Sequence, residues 1–419
     1  MHNEKIAAVD FGSKKFSISF GDMKNESLDI VGYLNSDSKG IEKGLIKDEE
    51  KCKEAFLDLI TNFEKKIGEP IEGVYAGIST KNIRIKEAVP EIWLKEGKVR
   101  SRDINKAIEK GKTMIEMDES EEIIDFTTNF YILDENPIFE SIVGWMGKNL
   151  KVSVTYFIGK KKEVEKFKRV IASSGKVFKG YILNIYSGKQ VFLNGKNSDG
   201  VRVLVDVGAG ISDYVIFKNG IVKEIGNVPL GGNNITNDLS ICGEYSKSEA
   251  ENIKLICSDN YETLYENSGE KDVITIGTSE VSKTFLYEVT KARLDEMLKL
   301  INAKLKNSSY YEDICSIILY GDGITYYENI EKMINDEFDK KVKTITNEYL
   351  GMKNSLNITS LAIVKEVSDR LYLLKEDTKK EKEKEIEYLL NEKKETEQPK
   401  VKEGNSIVRK IKKVLGDIF

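Results

Sequence analysis

One histidine, two tryptophans and four cysteines are all that 419 residues contain of these types, and each shortage closes off a class of chemistry. The lone histidine, His2, stands beside the start. Catalysis by a Ser-His-Asp or Cys-His arrangement and a histidine-built metal site are therefore excluded. Cys52, Cys242, Cys257 and Cys315 contain no CxxC spacing, so neither a zinc knuckle nor a disulfide framework is implied. They read as buried small hydrophobes in a reducing cytosol. No run of about 18 apolar residues occurs, so no helix is long enough to span a membrane. Met1–Phe11 carries Glu4, Lys5 and Asp10 and lacks a signal-peptide core, and the chain is expected in the cytosol. Lys+Arg number 65 against 70 Asp+Glu, a net charge of −5. A global polyanion binder would be basic, so nucleic acid is not an expected partner, and any membrane or phosphate affinity must be local.

What is present supports folded domains. Hydrophobic residues make up 40% and charged residues 32%, enough apolar material for real cores under a solvated surface. Two strand–turn units stand out. The first is Lys5–Phe11, the turn Gly12-Ser13-Lys14-Lys15 and the strand Phe16–Phe20; the second is Val201–Val207, the turn Gly208-Ala209-Gly210-Ile211-Ser212-Asp213 and the strand Tyr214–Phe217. In each, an apolar strand meets an Asp (Asp10, Asp206) and a Gly turn, and a turn signal and third strand follow. The two units lie 196 positions apart and read as an ancient duplication of one mixed α/β unit.

Apolar spacing predicts a helix over Glu49–Lys66, ended by Gly68 and Pro70. Val74–Ser79 reads as a buried strand, and 83–158 as strands with a charged helix over Arg102–Met117. A helix capped by Ser246 or Ser248 runs to Cys257. Phe285–Leu305 reads as a longer amphipathic helix, Ile314–Tyr320 as a strand ending in Gly321-Asp322-Gly323, and Asn357–Leu374 as the last core helix. Lys375–Glu403 is dominated by Lys and Glu and reads as a charged tether. Its ~30 residues would span about 30 Å as a random coil.

The last segment, Ser406–Phe419, has the sharpest pattern. At about 100° per residue on a helix, Ile407, Val408, Ile411, Val414, Leu415, Ile418 and Phe419 share roughly 140° of arc. Arg409, Lys410, Lys412 and Lys413 border that face, and Asp417 is the only acid there. A basic amphipathic helix on a tether is suited to the headgroup region of an anionic membrane.

Two Gly turns, each beginning with an acid, suit a nucleotide held between two lobes. Gly lets backbone N–H groups approach phosphate oxygens, and Asp10 and Asp206 would hold Mg²⁺ through its waters. Asp213 could orient water or the metal. The pair Asp10–Lys15 and Asp206–Asp213 resembles the two phosphate motifs of the actin/hexokinase/heat-shock ATPase superfamily. Within it the chain is similar to FtsA, the bacterial actin-like division family. The segments that carry this likeness are Gly40-Ile41-Glu42-Lys43-Gly44, Val74–Ser79, Val228-Pro229-Leu230-Gly231-Gly232-Asn233 through Asp238, and Glu249–Lys254.

The resemblance implies an α/β, two-lobed actin-like fold with duplicated mixed-sheet units. The first lobe would take 1–82 and 159–198, with 357–374 packing back on it. An inserted small α/β subdomain would take 83–158, the second lobe 199–356, a charged linker 375–405 and the membrane-targeting helix 406–419. It implies ATP and Mg²⁺ as cofactors. Gly231, Gly232 and Asn233 would approach sugar and phosphates, Glu249 and Lys254 would flank the purine or ribose, and Gly321-Asp322-Gly323 would close the pocket. It implies a scaffold that polymerises on the inner membrane at the division site and tethers FtsZ filaments, with the insert contacting itself and other division proteins. Trp93 and Trp145 lie in that insert and are expected in its core. The alternatives are a pilus-assembly adaptor resembling PilM and a small-molecule kinase of the same superfamily. Several residues depart from the family pattern. Ala209 replaces a Gly, Ile211 a hydroxyl residue, Asn233 an Asp, and Asp322 a Gly, where its carboxylate would repel phosphate. Asn184 stands where a Glu is usual, and an amide cannot act as a base. No catalytic residue is assigned, and turnover is expected to be slow.

Overall fold

The computed structural model describes residues 4–24, 27–193, 199–269, 271–345 and 357–371. The tether over 375–405 and the helix over 406–419, with its proposed membrane face, lie outside the described residues, as do His2 and 372–374.

Two five-stranded sheets share one topology. In the first, Glu4–Phe11, Lys15–Lys24 and Ser27–Asp37 form an antiparallel meander, and Gly73–Ile78 and then Val177–Leu183 add in parallel beside Glu4–Phe11. In the second, Val201–Val207, Ser212–Lys218 and Ile221–Val228 form the meander, and Ile314–Tyr320 and then Val342–Thr344 add in parallel. The duplication read in the sequence is thus a duplication of a whole sheet, and both hairpin turns lie at corresponding corners. The strand Ile314–Tyr320 begins and ends where the sequence places it.

The first lobe closes by burying aromatic rings on one face of its sheet. Helix Glu49–Ile67 starts on Asp48, whose carboxylate accepts from the Lys51 amide, and stops on left-handed Gly68, as cap chemistry favours. Its Phe56 and Phe63 are fully buried. Phe11 packs against Phe16, Phe56 and Phe167 with ring centroids 5.2–5.5 Å apart. Burying one such side chain contributes about 1.5–3 kcal/mol. The opposite face is covered by a helix over 358–371, whose Ile363, Val364 and Val367 sit on Ile6, Ala8 and Ile182. The second lobe has its own core, in which helix Lys283–Lys306 buries Leu294, Met297, Leu298 and Ile301 beneath Val203 and Ile317.

Between 83 and 160 a third sheet forms around the long pair Glu121–Leu133 and Asn149–Lys160, with Ile83–Ala88, Glu91–Trp93 and Asn136–Ile138 beside them. Helix Ser101–Thr113 covers its apolar face, where Ala107, Val152 and Tyr156 are buried. This helix ends four residues before the predicted Met117, because Met114 and Ile115 close it with turn bonds to Gly111 and Lys112. Trp93 is 72% exposed and Trp145 44%, and Phe139 and Met146 are exposed as well, so the expected core role of the tryptophans is corrected. In the short strand Glu91–Trp93 the alternation puts Ile92 inward and Trp93 outward. Two cysteines are corrected likewise: Cys52 and Cys257 are buried, but Cys242 and Cys315 are exposed, and all four are free.

Candidate functional site

The two Gly turns meet across a cleft of about 700 Å³. Asp10 lies near the end of its strand, paired with Ser17 in the hairpin and Gly77 in the parallel neighbour. Asp206 holds the matching place, paired with Asp213 and Tyr320. The turns are narrow. A Cβ on Gly12 would stand 2.6 Å from the Lys15 carbonyl oxygen, and one on Gly210 would stand 2.6 Å from Ser13 Oγ of the other lobe. The Gly208 amide donates to the Ile211 carbonyl at 3.0 Å. Gly44, from the Gly40–Gly44 segment, donates to Ser13 Oγ at 3.3 Å and lines the cleft beside the first turn.

Of the residues singled out in the sequence, Asp10, Gly12, Ser13, Lys14, Lys15, Asp206, Gly208, Ala209, Gly210, Ile211, Asp213, Gly232, Lys254, Gly321, Asp322 and Gly323 line this cleft. Ser212, Gly231, Asn233 and Glu249 do not. Ser212 is buried and donates to the Leu230 carbonyl. The loop expected to approach phosphates instead binds the second turn: the Gly232 amide donates to Gly208 O at 3.1 Å and the Asn233 amide to Ala209 O at 2.7 Å. A Cβ on Gly231 would stand 2.4 Å from Gly208 O. These contacts brace the second turn from behind, and Gly232 also lines the cleft. Gly321, at φ +101°, brings its Cα against Asp206, where a Cβ would stand 2.4 Å from Oδ1, so only glycine fits.

Glu249 accepts from the Ser246 amide and closes a capping box at the start of helix Lys247–Cys257. Glu251 lies one helical turn before Lys254 and pairs with it. Its carboxylate meets Lys254 Nζ at 2.6 Å and also the Thr236 hydroxyl and the Lys14 ammonium. Burial pushes Glu251 up, but the Lys254 charge and the bonds from Lys14, Lys254 and Thr236 outweigh it and hold it at about 2. Sequence reasoning also missed Ser79, Tyr326 and Tyr327, which line the cleft. The adjacent tyrosines after Gly321-Asp322-Gly323 were the available signal. The Tyr327 hydroxyl is buried and has no partner, and Asn184 Oδ1 is unpartnered too.

The floor is acidic. Asn184 Nδ2 donates to Asp10 Oδ1 at 2.7 Å, which puts the amide beside the first acid. Asp213 accepts from both the Thr80 amide and hydroxyl, at 3.1 and 2.6 Å, and thereby ties the lobes. Burial pushes Asp10 up to about 6 against the lowering charge of Lys15. Burial pushes Asp213 up to about 6 against its Thr80 bonds. Burial, with Asp10 and Asp213 beside it, raises Asp206 well above the carboxylate range. Asp322 does not stand as a bare charge facing phosphate, as expected from the turn, because it pairs with Lys15 Nζ at 2.8 Å.

These directions set a pH dependence. An acid raised from 3.8 to about 6 on folding binds its proton more tightly in the folded state. It stabilises the fold fully below pH ~4 and loses that contribution as pH rises through ~6. Thermal unfolding of the ligand-free chain against Asp213→Asn should show the wild type losing ground to the variant between pH 4 and 7. A pH-independent gap would contradict this account.

The donor set fits a nucleotide with a hydrated cation. Two carboxylates, narrow glycine turns, lysines at the first turn and unpartnered polar atoms face one cavity. Among the described residues no group of three or more His, Cys, Asp or Glu is placed to hold a metal ion.

Two lobes of one duplicated sheet, with a cleft at the matching hairpin turns, are the actin-like fold. Solved structures share it: the PilM-PilN type IV pilus biogenesis complex matches at TM-score 0.57 and 12% identity, covering 87% of this chain and 98% of that one. MreB5 of Spiroplasma citri bound to ADP matches at 0.51 and 13%, covering 89% and 98%. Within this fold the sequence likeness is to FtsA. The family model described as cell division protein FtsA matches residues 203–364, and cell division protein FtsA of Bacillus subtilis is 23% identical over 373 residues, 87% of this chain and 83% of the relative. These matches bear out the FtsA resemblance carried by the motifs.

Proposed function

We propose that the chain is an actin-like cell division protein that binds ATP with Mg²⁺ between its lobes and polymerises on the inner membrane. It would tether FtsZ filaments there through residues 406–419. The observation that carries the nucleotide part is the meeting of both Gly turns with Asp10 and Asp206 at one cleft. The division role rests on the FtsA relatives. The exposed Trp93, Phe139 and Met146 of the insert are of the type favoured at protein interfaces, and they support contact with other division proteins or a second copy there. When bound, Mg²⁺ would neutralise phosphate charge; Asp10 and Asp206 would hold its waters, and Lys14 and Lys15 would take phosphate oxygens. Calorimetric titration with ATP and with a non-hydrolysable analogue tests this. A saturable heat with both is expected, and no heat and no thermal shift at millimolar nucleotide would count against it.

Turnover is expected to be slow. Asn184 sits beside Asp10 where a base would be needed, and an amide takes up no proton at neutral pH. Steady-state phosphate release should stay below ~1 per second, the low end of ordinary enzymes. Asn184→Glu should raise it. Release at enzyme-like rates by the wild type would contradict the scaffold reading.

A further inference from the structure

Lys14 and Lys15 supply the ammonium groups at the first Gly turn, and both reach across the cleft to acids of the second lobe. Lys14 pairs with Glu251, and Lys15 Nζ lies 2.8 Å from Asp322 Oδ2. Each acid also holds a partner on its own lobe. Glu251 keeps Lys254 at 2.6 Å and the Thr236 hydroxyl, and Asp322 accepts from the Tyr326 hydroxyl at 2.8 Å. Each acid therefore keeps a partner when its lysine leaves, an ammonium for Glu251 and a neutral hydroxyl for Asp322.

We propose that these two pairs form a clasp that bridges the lobes across the cleft, and that a polyphosphate releases it by taking both ammonium groups in exchange. This deepens the nucleotide reading and, in its ligand half, rests on it. Both pairs are partly exposed, with side-chain exposures of 44% and 22% for Lys14 and Glu251 and 26% and 27% for Lys15 and Asp322. Pairs of that kind are weak, whereas charge-assisted bonds from ammonium to phosphate are strong. The exchange runs toward phosphate but takes Lys15 away from Asp322, which lies among Asp10 and Asp206. A phosphate that brings a divalent ion restores the balance, and one without it does not. Asp322 is thus the residue that makes entry depend on the ion, and the glycine usual at that position would not.

The test uses the full chain, Asp322→Asn, Asp322→Gly and Glu251→Gln. Without ligand, amide hydrogen exchange over 12–15 and 321–323 should speed up in the variants while the strand Glu4–Phe11 exchanges as in the wild type. Unchanged exchange at both turns overturns the clasp, whether or not nucleotide binds. With ADP in excess EDTA, the two Asp322 variants should bind about fivefold tighter than the wild type, the scale of one such pair, with a smaller gain in Mg²⁺. No gain without Mg²⁺, in a wild type that binds Mg²⁺–ADP, overturns the exchange. If no protein binds ADP even with Mg²⁺, the nucleotide reading and the exchange fall together, and the exchange rates alone decide the clasp.

Discussion

Asp206→Ala should raise the melting temperature of the ligand-free chain by a few degrees and weaken Mg²⁺–ATP binding about a hundredfold or more. The two effects have one cause. Asp206 stands where burial and the neighbouring Asp10, Asp213 and Asp322 all disfavour its charge. An acid in that setting is unfavourable to the empty protein, and its removal relieves like-charge repulsion. A stability change of about 1 kcal/mol moves the midpoint of a domain this size by roughly 2–4 °C. With the ion present the same crowding becomes the binding force, so its loss is felt fully in affinity. No single change within 83–158 should approach that loss. Calorimetry and thermal unfolding on one preparation decide it. If the variant melts lower and binds as before, Asp206 is a structural acid and the proposed metal role is wrong.

Truncation after Glu403 should leave the core folded and abolish pelleting with anionic liposomes. The reasoning uses the segment's chemistry alone. On a helix, seven apolar residues of Ser406–Phe419 would share one face with four cations bordering it. Burying such a face contributes about 25 cal/mol per Å², and each cation near an anionic surface adds on the order of 1 kcal/mol. Ordering a ~14-residue helix that is marginal alone in water takes part of this back. One copy should bind weakly and reversibly, and a filament that links many copies should bind firmly. Ile411→Glu should act nearly as strongly as truncation because it sets a charge in the middle of the face. Lys410→Gln should cause a partial loss that deepens with salt. Truncated protein that pellets as well as the full chain would show that some other surface carries the affinity.

The elements whose logic is local were legible in the sequence. The hairpin after Asp10 and its copy after Asp206 announce themselves by alternation and Gly, and the strand Ile314–Tyr320 by an apolar run between turn signals. That Glu249 stays off the cleft has a reason also present in the sequence. Ser246-Lys247-Ser248-Glu249 is a capping box, which turns Glu249 back onto the helix start, while Glu251 pairs with Lys254, three residues on, which lines the cleft. Trp93 defeated the reading because a three-residue strand gives too little alternation to say which side is inward. Lys15 and Asp322 are 307 positions apart, and no pattern in one sequence couples them. Only the folded duplication brings the two turns together, and with them the charges that change a repelling acid into a paired one.

The most direct measurement of the whole account is co-sedimentation of purified FtsZ with anionic liposomes in the presence of this chain, with and without ATP. The account predicts that FtsZ pellets with the liposomes only when the chain and ATP are both present, and stays in the supernatant when the chain ends at Glu403. FtsZ left in the supernatant with full-length chain, ATP and liposomes together would contradict it.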